Sequence, residues 1–250
     1  MIGQRKKLIA GNWKMNGNLE SLEEIELIKV SCSSTYQDVI ICPPSILLVE
    51  AKKILGNTQV KVGAQNCQTS SAGPHTGEIS AQMLSDLGVE FVILGHSERR
   101  DKSFETDEVV RNKASEANAK GLTTIICVGE TGMEKKLSKT ETVIESQIKN
   151  SLPNTFSHEN TIIAYEPLWA IGSGITPTPN EIAHIHLLIR SVVKEMSTKQ
   201  IAEKIKLLYG GSVNPTNAKE LLSITNVDGA LVGGASLLAE DFSRIVGALS

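Results

Sequence analysis

The 250-residue sequence has few cysteines, few aromatic residues and no long apolar segment. Its four cysteines, Cys32, Cys42, Cys67 and Cys127, form no closely spaced pair, which argues against a disulfide framework or a cysteine-ligated metal site. No apolar run approaches a membrane span, and the apolar residues after the basic start are too few for a signal peptide. We therefore expect a reduced, cytoplasmic and metal-free protein that does not enter a membrane.

The chain also lacks a strong net charge. Its 25 basic and 28 acidic residues give a net charge of −3, so no overall positive field attracts nucleic acid or an anionic membrane surface. We expect neither partner, and an anionic ligand must be bound by a local arrangement of groups. No linker or shift in composition divides the chain, and we expect one domain over residues 1–250.

What the sequence does contain is an eightfold alternation of short apolar runs with helical patterns. The runs show no regular alternation of inward and outward residues, as expected of parallel strands buried on both faces. They are 7–10, 39–42, 60–63, 91–94, 124–128, 162–165, 205–209 and 230–232. Between them, apolar residues recur at helical spacing, as at Leu22, Ile25 and Ile28.

Several residues predict where helices begin and end. Asn18 and Ser21 are alternative caps for the first helix, and Gly88 and Gly121 stand where helices should end. The last helix should bury one apolar face, formed by Phe242, Ile245, Val246 and Leu249.

Eight strand–helix units in about 250 residues match the size of a (β/α)8 barrel, an α/β fold. An open, doubly wound sheet is the alternative, but a glycine-rich fingerprint usually follows its first strand. The segment 11–14 (GNWK) is not such a fingerprint. We therefore predict the barrel, and with it a functional site at the C-terminal ends of the strands.

Polar side chains follow several of the predicted strands, and Glu166 is the most informative of them. It ends an apolar strand, and a proline and an apolar segment closing in Gly-Ser-Gly come after it. A carboxylate beside a hydrophobic, movable segment suggests a general base that acts when water is excluded. An ordinary glutamate at a strand end is the alternative.

His96 and Lys14 are the other candidates for chemistry. His96 precedes a helix that we expect to begin at Ser97, and the positive end of that helix keeps the ring a neutral N–H donor. A histidine at a strand end is otherwise often structural. Lys14, after the first strand, is either a solvated lysine or an ammonium that faces an anion.

Two glycine-rich turns follow the seventh and eighth strands, at 210–212 (GGS) and 233–234 (GG). Their backbone N–H groups, with a short helix expected over 235–238, can hold a phosphate without positive side chains. The glycines could instead serve only to turn the chain. Because both turns fall at strands seven and eight of a barrel, phosphate binding is the favoured interpretation.

Five segments together resemble the triosephosphate isomerase family along the whole chain. They are 11–17 (GNWKMNG), 93–100 (ILGHSERR), 164–170 (AYEPLWA), 209–213 (YGGSV) and 231–236 (LVGGAS), in the order and spacing of the family. The resemblance implies interconversion of dihydroxyacetone phosphate and D-glyceraldehyde 3-phosphate through an enediol(ate), in glycolysis and gluconeogenesis, without a cofactor.

The resemblance also implies a role for each catalytic residue. Glu166 would move a proton between neighbouring carbons, and neutral His96 would polarise the carbonyl and shuttle protons between the two oxygens. Lys14 would stabilise negative charge and Asn12 would orient the substrate. The residues implied to bind substrate and its phosphate are Asn12, Lys14, Gly172, Ser212, Gly233 and Gly234. Those implied to support the site are Glu98, behind Lys14, with Ser97, Tyr209 and Cys127.

By resemblance, residues 168–178 form a segment that closes over the site, and the chain departs from the family there. Ile175 stands where a lysine is often found, and we expect little consequence. Pro177 stands where the family commonly has an alanine whose N–H pairs with the hydroxyl of Tyr209. Proline has no N–H, so we expect that contact to be missing and Tyr209→Phe to slow turnover less than in a relative with the donor.

The long, turn-rich loop from Gln65 to Glu78 could be a surface excursion on composition alone. The resemblance implies that it docks beside the active site of a second copy, with Thr76 near its tip and Met15 in the socket. We therefore expect a homodimer.

Two other functions fit parts of the sequence. An aldolase barrel with Lys14 as a Schiff base would leave Glu166 and His96 without a role. A catalytically silent binding protein is disfavoured because Asn12, Lys14, His96 and Glu166 are all present.

Overall fold

A computed structural model describes residues 5–171 and 176–249. Eight parallel strands in this part of the chain pair in sequence order and close into a barrel, with β8 beside β1, which confirms the predicted (β/α)8 fold. The strands are β1 (Leu8–Asn12), β2 (Asp38–Cys42), β3 (Val60–Ala64), β4 (Phe91–Leu94), β5 (Thr123–Val128), β6 (Thr161–Tyr165), β7 (Lys206–Tyr209) and β8 (Gly229–Val232).

The predicted apolar runs agree with these strands to within one or two residues. The largest difference is in β1, which was expected to end at residue 10 and extends to Asn12. Asn12 is paired in register with Cys42 of β2, so its backbone belongs to the sheet although its side chain is polar. The strand therefore carries this side chain directly to the C-terminal end of the barrel.

The α-helices surround the barrel. They are α1 (Leu22–Ser31), α2 (Leu48–Leu55), α3 (Ala81–Asp86), α4 (Ser97–Lys102), α5 (Asp107–Ala119), α6 (Gly132–Lys136), α7 (Thr140–Ser151), α8 (Pro179–Met196), α9 (Lys199–Lys204), α10 (Ala218–Ser223) and α11 (Ala239–Val246). In the described part of the chain, no helix combines the length and the apolarity that crossing a bilayer requires.

The predicted helix signals are mostly confirmed. Gly88 and Gly121 follow α3 and α5 with φ of 77° and 80°, the left-handed region that glycine adopts without strain. Of the two alternative caps expected for α1, Ser21 is at the cap position and Asn18 is not. Ser21 occupies the cap position without a side-chain cap bond, because its hydroxyl and amide both pair with Asn18 instead.

At the C-terminal end of the chain, α11 buries Phe242, Ile245 and Val246 as predicted, while the side chain of Leu249 lies outside the described residues. The short helix expected over 235–238 is a single 3₁₀ turn over Gly234–Ser236. It begins one residue earlier because the Ser236 N–H donates to the Gly233 carbonyl, three residues back.

The core has two layers, since alternate strand residues face the barrel interior and the helices. The interior layer is formed by Leu8, Ala10, Ile40, Cys42, Ile93, Ile125, Cys127, Ile162, Ala164, Leu208 and Leu231. The intervening strand residues pack against the helices in a larger cluster. Both faces of the sheet are thus buried, which explains the apolar runs without alternation.

Candidate active site

A cavity of about 390 Å³ opens at the C-terminal ends of the strands. Residues that follow five different strands converge there, because parallel strands of one barrel all end at the same face. The predicted site residues lining it are Asn12, Lys14, His96, Glu166, Gly210, Gly211, Ser212, Gly233 and Gly234. Gly172, a predicted site residue, lies outside the described part of the chain, and so does Ile175.

Glu166 is buried at the base of this cavity, with 2% of its surface exposed. One carboxylate oxygen, Oε2, accepts the Ser97 N–H at 3.0 Å. The other, Oε1, lies 3.0 Å from Nε2 of His96. The carboxylate therefore rests on two neutral donors at the start of α4.

The hydrogen bonds of His96 determine which ring nitrogen carries a proton. His96 is the cap residue of α4, and its Nδ1 accepts the backbone N–H of Glu98 at 3.2 Å. A nitrogen that accepts an N–H has no proton of its own, so the ring proton is on Nε2, facing Glu166. The ring is therefore a neutral N–H donor in this arrangement.

The pKa values of this pair are set by opposing effects. Burial lowers the pKa of His96, but the contact with the Glu166 carboxylate raises it further than burial lowers it. Burial likewise raises the pKa of Glu166, but His96, the Ser97 N–H and Lys14 together lower it below its ordinary value. Glu166 is thus ionised, and the effect that raises the His96 pKa lasts only while the two side chains touch.

Lys14 has an unusual backbone conformation for a residue with a side chain, with φ of 54°. Two side chains hold it there: its N–H donates to Oδ1 of Asn12 at 3.0 Å, and its carbonyl accepts Nε2 of Gln65 at 2.9 Å. The ammonium lies 2.7 Å from Oε1 of Glu98. The strained backbone directs a cation into the cavity.

The glycines at 210 and 211 are required by close packing, since neither has a positive φ. A Cβ on Gly210 would lie 2.8 Å from Cγ of Glu166, and one on Gly211 would lie 2.2 Å from the Tyr209 hydroxyl oxygen. The interpretation that they only turn the chain is therefore inadequate. A side chain at Gly210 would displace the carboxylate at the centre of the cavity.

Backbone donors without a partner among the described residues line the same side of the cavity. The described hydrogen bonds use none of the N–H groups of Gly211, Ser212 and Gly234, whereas the Gly210 N–H donates to the Tyr165 carbonyl. Gly234 begins a 3₁₀ turn, so its N–H points out of the turn. Convergent free N–H groups of this kind bind phosphate oxygens.

Cys127 lies in the barrel interior below Glu166. Burial, together with the negative charge of Glu166, raises the pKa of its thiol well above the ordinary value. The thiol is therefore protonated and inert as a nucleophile. Among the described residues, no cluster of three or more histidine, cysteine, aspartate or glutamate side chains is arranged to hold a metal ion.

Sequence reasoning missed two groups that surround the site. Arg100 donates to the carbonyls of Gly95 and Cys127, at 2.8 and 3.1 Å, and so ties the ends of β4 and β5 together. Glu130, two residues after the end of β5, accepts the indole N–H of Trp169 at 2.8 Å. Burial raises the pKa of Glu130, and its hydrogen bonds offset part of that effect. A polar residue at a strand end was the available signal for Glu130.

The structure describes Pro177 and Tyr209, the two residues of the contact that we expect to be missing. Pro177 is buried, and the buried hydroxyl of Tyr209 has no hydrogen-bond partner among the described residues. Burial raises the pKa of Tyr209, so that this hydroxyl is not ionised.

The face beside the cavity is markedly exposed. Met15 has 96% of its surface accessible, and the loop from Gln65 to Glu78 is exposed from residue 72 onwards. A neighbouring cavity of about 420 Å³ contacts Met15, Gln65 and Glu78, and it also reaches Lys14 and His96.

Comparisons of the sequence and of the structure with known proteins all find the same family. The family model described as triosephosphate isomerase matches residues 7–249. Triosephosphate isomerases of Ruegeria pomeroyi and Xanthobacter autotrophicus are each 48% identical to the chain, over 98% of it and over 98% and 97% of their own lengths. The crystal structure of triosephosphate isomerase from Bartonella henselae is similar with a TM-score of 0.92 and 45% identity, covering 97% of this chain and 98% of that one.

Proposed function

The chain belongs to the triosephosphate isomerase family, and we propose that its reaction takes place in the cavity between Lys14 and Glu166. The chain is an isomerase that interconverts dihydroxyacetone phosphate and D-glyceraldehyde 3-phosphate. The observation that carries the site assignment is the convergence of an ionised, buried carboxylate with a neutral imidazole N–H, 3.0 Å apart. A base and a proton donor in contact are what an aldose–ketose isomerisation requires.

Glu166 is the proposed base. Its carboxylate removes a proton from the carbon next to the substrate carbonyl, and the C–H electron pair forms the carbon–carbon double bond of the enediol(ate). The protonated Glu166 then returns the proton to the neighbouring carbon. To reach the substrate, the carboxylate must leave its contacts with Ser97 and His96, which are single hydrogen bonds to neutral donors.

His96 is the proposed electrophile. Its Nε2–H donates to the carbonyl oxygen as negative charge develops there, and it moves protons between the two oxygens of the intermediate. The Glu98 N–H at Nδ1 opposes formation of the imidazolium, so the ring acts as a neutral acid. The ammonium of Lys14 stabilises the same developing charge, and Asn12 orients the substrate.

Backbone amides are the proposed phosphate site. Ser212, Gly233 and Gly234 line the cavity, with Gly172 as a further proposed donor. An overall charge of −3 does not hinder this, because amide dipoles hold the anion locally. Four further residues are proposed to support the site. Glu98 pairs with Lys14, and Ser97 donates its N–H to Glu166. Cys127 lies below Glu166, and Tyr209 packs against the 210–212 turn. The reaction needs no cofactor, since the carbonyl itself acidifies the neighbouring proton.

The experiment that tests this proposal is an isomerase assay on the wild type and Glu166→Gln. The amide keeps the shape of the side chain but accepts no proton, so we expect kcat to fall by about 10³-fold or more. Equal activity in the two proteins would contradict the mechanism. Borohydride treatment with substrate is the control: loss of activity through reduction of a Lys14 adduct would point to Schiff-base chemistry instead.

We also propose that the protein is one domain, acts in the cytoplasm and forms a homodimer. The exposed Met15 and the loop from Gln65 to Glu78 flank a cavity that reaches Lys14. A second copy that inserts its loop there would cover Met15 and support the active-site residues. Sedimentation equilibrium of the wild type should give twice the 26.9 kDa chain mass, and a monomer at all concentrations would contradict the pairing.

A further inference from the structure

Lys135 makes two close contacts that the proposed mechanism does not use. It lies in α6, directly after the β5 loop, and its ammonium is 3.4 Å from the centre of the Trp169 ring. The same ammonium lies 2.9 Å from Oε1 of Glu181, in the first turn of α8. A cation above an indole face is attracted by the negative face of the ring, and tryptophan is the best partner for this interaction.

Both contacts of Lys135 are themselves fixed. The edge of the Trp169 indole donates its N–H to Glu130 at 2.8 Å. The second oxygen of Glu181 accepts the Thr178 N–H at 2.8 Å, in the capping box that begins α8. The indole is therefore held at its face by Lys135 and at its edge by Glu130, and the ammonium is anchored to α8.

The indole lies close in sequence and in space to the proposed base. Trp169 belongs to the 3₁₀ turn Leu168–Ala170, which begins two residues after Glu166. The Leu168 N–H donates to the Glu130 carbonyl at 3.1 Å. A Cβ added to Gly129 would lie 1.8 Å from the Glu166 carbonyl oxygen, so the β5 loop is packed directly against the backbone that carries Glu166.

We propose that Lys135 is a positioning residue, whose ammonium holds the Trp169 indole between Glu130 and α8 and thereby fixes the turn that orients Glu166. The effect on catalysis rests on the proposed function of Glu166, whereas the contact with the indole does not. A cation above the ring is what the arrangement requires, and arginine can supply it because the guanidinium also stacks on aromatic faces. A neutral side chain of the same length cannot.

Three lysine variants test the positioning role of Lys135. Lys135→Met removes the charge and keeps the length, Lys135→Arg keeps the charge, and Lys136→Met is the matched control on the same helix. Lys136 is exposed, and no ion pair of the described residues includes it. Circular dichroism melting checks that each variant folds, which we expect because Lys135 is already 36% exposed.

The expected kinetic result is a fall in kcat for Lys135→Met of about 3- to 10-fold, the range that loss of a cation–π contact of about 1 kcal/mol permits. KM should stay within about twofold, because positioning of the base affects the chemical step rather than phosphate binding. Lys135→Arg should retain wild-type kcat within about twofold, and Lys136→Met should be indistinguishable from wild type.

Tryptophan fluorescence provides a readout that does not depend on the reaction. Acrylamide quenching should increase for Lys135→Met but not for Lys135→Arg or Lys136→Met. The signal reports on Trp169, which is partly exposed, because Trp13, the other tryptophan, is 1% exposed and bonded to the Ser236 carbonyl. Glu181→Gln should give a smaller increase, since the amide oxygen still caps Thr178 while the anchoring charge is lost.

The outcomes separate the two levels of the proposal. Unchanged quenching in Lys135→Met and Glu181→Gln overturns the contact, and unchanged kcat in Lys135→Met overturns its effect on Glu166. Equal losses of kcat in Lys135→Met and Lys136→Met would show a general effect of charge and would also overturn the positioning role of Lys135. If Lys135→Met fails to fold, the quenching and kcat of Glu181→Gln test the proposal instead. A wild type without isomerase activity but with altered quenching in Lys135→Met would refute the proposed function and leave the contact intact.

Discussion

Each end of the barrel buries a carboxylate, and the two are held in different ways. At the N-terminal end, Asp228 precedes β8 and receives Nε of Arg5 at 2.6 Å, Nη2 of Arg190 at 2.8 Å and the Leu207 N–H at 3.0 Å. At the C-terminal end, the hydrogen-bond partners of Glu166 among the described residues are the Ser97 N–H and the His96 ring. One carboxylate is saturated by two guanidinium groups, while the other has two neutral donors.

The difference explains why only one end is suited to chemistry. A carboxylate held by two guanidinium groups cannot leave its partners without stranding two buried charges. Glu166 loses only two hydrogen bonds to neutral groups when it turns to a substrate. Catalytic use of a buried carboxylate thus depends on weak, replaceable partners, whereas the strong partners at the other end serve stability.

Further hydrogen bonds surround Asp228 at the N-terminal end of the barrel. Asn226 accepts Nε of Arg190 on its side chain at 3.0 Å and lies 3.0 Å from Nδ1 of His186 through its carbonyl. Lys7 donates to the Leu222 carbonyl at 2.8 Å. These bonds join α8 to the segment before β8, and the segment before β1 to α10.

Asp228→Asn should have the largest effect on stability. The amide leaves Arg5 and Arg190 without a counter-charge, and breaking a buried ion pair costs about 3–5 kcal/mol. We therefore expect the free energy of unfolding in urea to fall by about 3 kcal/mol or more. Asp241→Asn, in none of the ion pairs of the described residues, is the control. A loss no larger than that of the control would show that the cluster does not stabilise the fold.

His186 should make stability depend on pH. Its Nδ1 faces the Asn226 carbonyl, so the proton is on Nδ1, and the buried Nε2 has no partner among the described residues. Burial lowers the pKa of His186 to about 4. The unfolded chain, with a pKa of about 6.5, binds a proton first as pH falls. Stability from this residue is therefore complete above pH 6.5 and is lost as pH falls towards 4.

The size of the effect follows from the two pKa values. Between about pH 7.5 and about pH 4.5, His186 should contribute a loss of roughly 2.5 kcal/mol. Between these two pH values, the free energy of unfolding in urea should fall less in His186→Gln than in the wild type, and the difference should be roughly 2.5 kcal/mol. His184→Gln is the control on the same helix, since His184 is exposed. Identical pH dependence in the wild type and His186→Gln would contradict the assignment.

The smallest effect is expected at Tyr209. Its hydroxyl has no partner among the described residues, and Pro177 has no N–H to offer. Tyr209→Phe therefore removes no hydrogen bond seen among the described residues, each of which would be worth about 1 kcal/mol, and we expect kcat to fall by less than about fivefold. The same substitution in a relative with alanine at the Pro177 position should cost more. Equal losses in both proteins would show that Pro177 does not change the contact.

The residues at the C-terminal end were predictable because their signals are local. Glu166, His96 and Lys14 each follow an apolar run, and a closed parallel barrel brings such positions together whatever the details of packing. The tautomer of His96 was also predictable, because a ring directly before a helix meets the N–H groups of its first turn. Resemblance to one family then supplied the reaction.

The residues at the N-terminal end were not predictable in the same way. The sequence shows only a basic start at Arg5 and Lys7, while the partner of Arg5 is 223 residues away. The support of Lys14 by Gln65 depends on a left-handed backbone that no sequence pattern indicates. Lys135 likewise gains its contacts only when α6 meets the turn at Trp169 and the start of α8. Such pairings depend on tertiary packing.

The most direct test of the contrast between the two carboxylates measures kcat/KM and the free energy of unfolding for Glu166→Gln and Asp228→Asn side by side. We predict opposite outcomes. Glu166→Gln should lose about 10³-fold or more in kcat/KM while its free energy of unfolding changes by less than about 1 kcal/mol. Asp228→Asn, assayed where it is folded, should keep kcat/KM within about twofold and lose about 3 kcal/mol of stability. A Glu166→Gln protein that is active, or as destabilised as Asp228→Asn, would contradict the account.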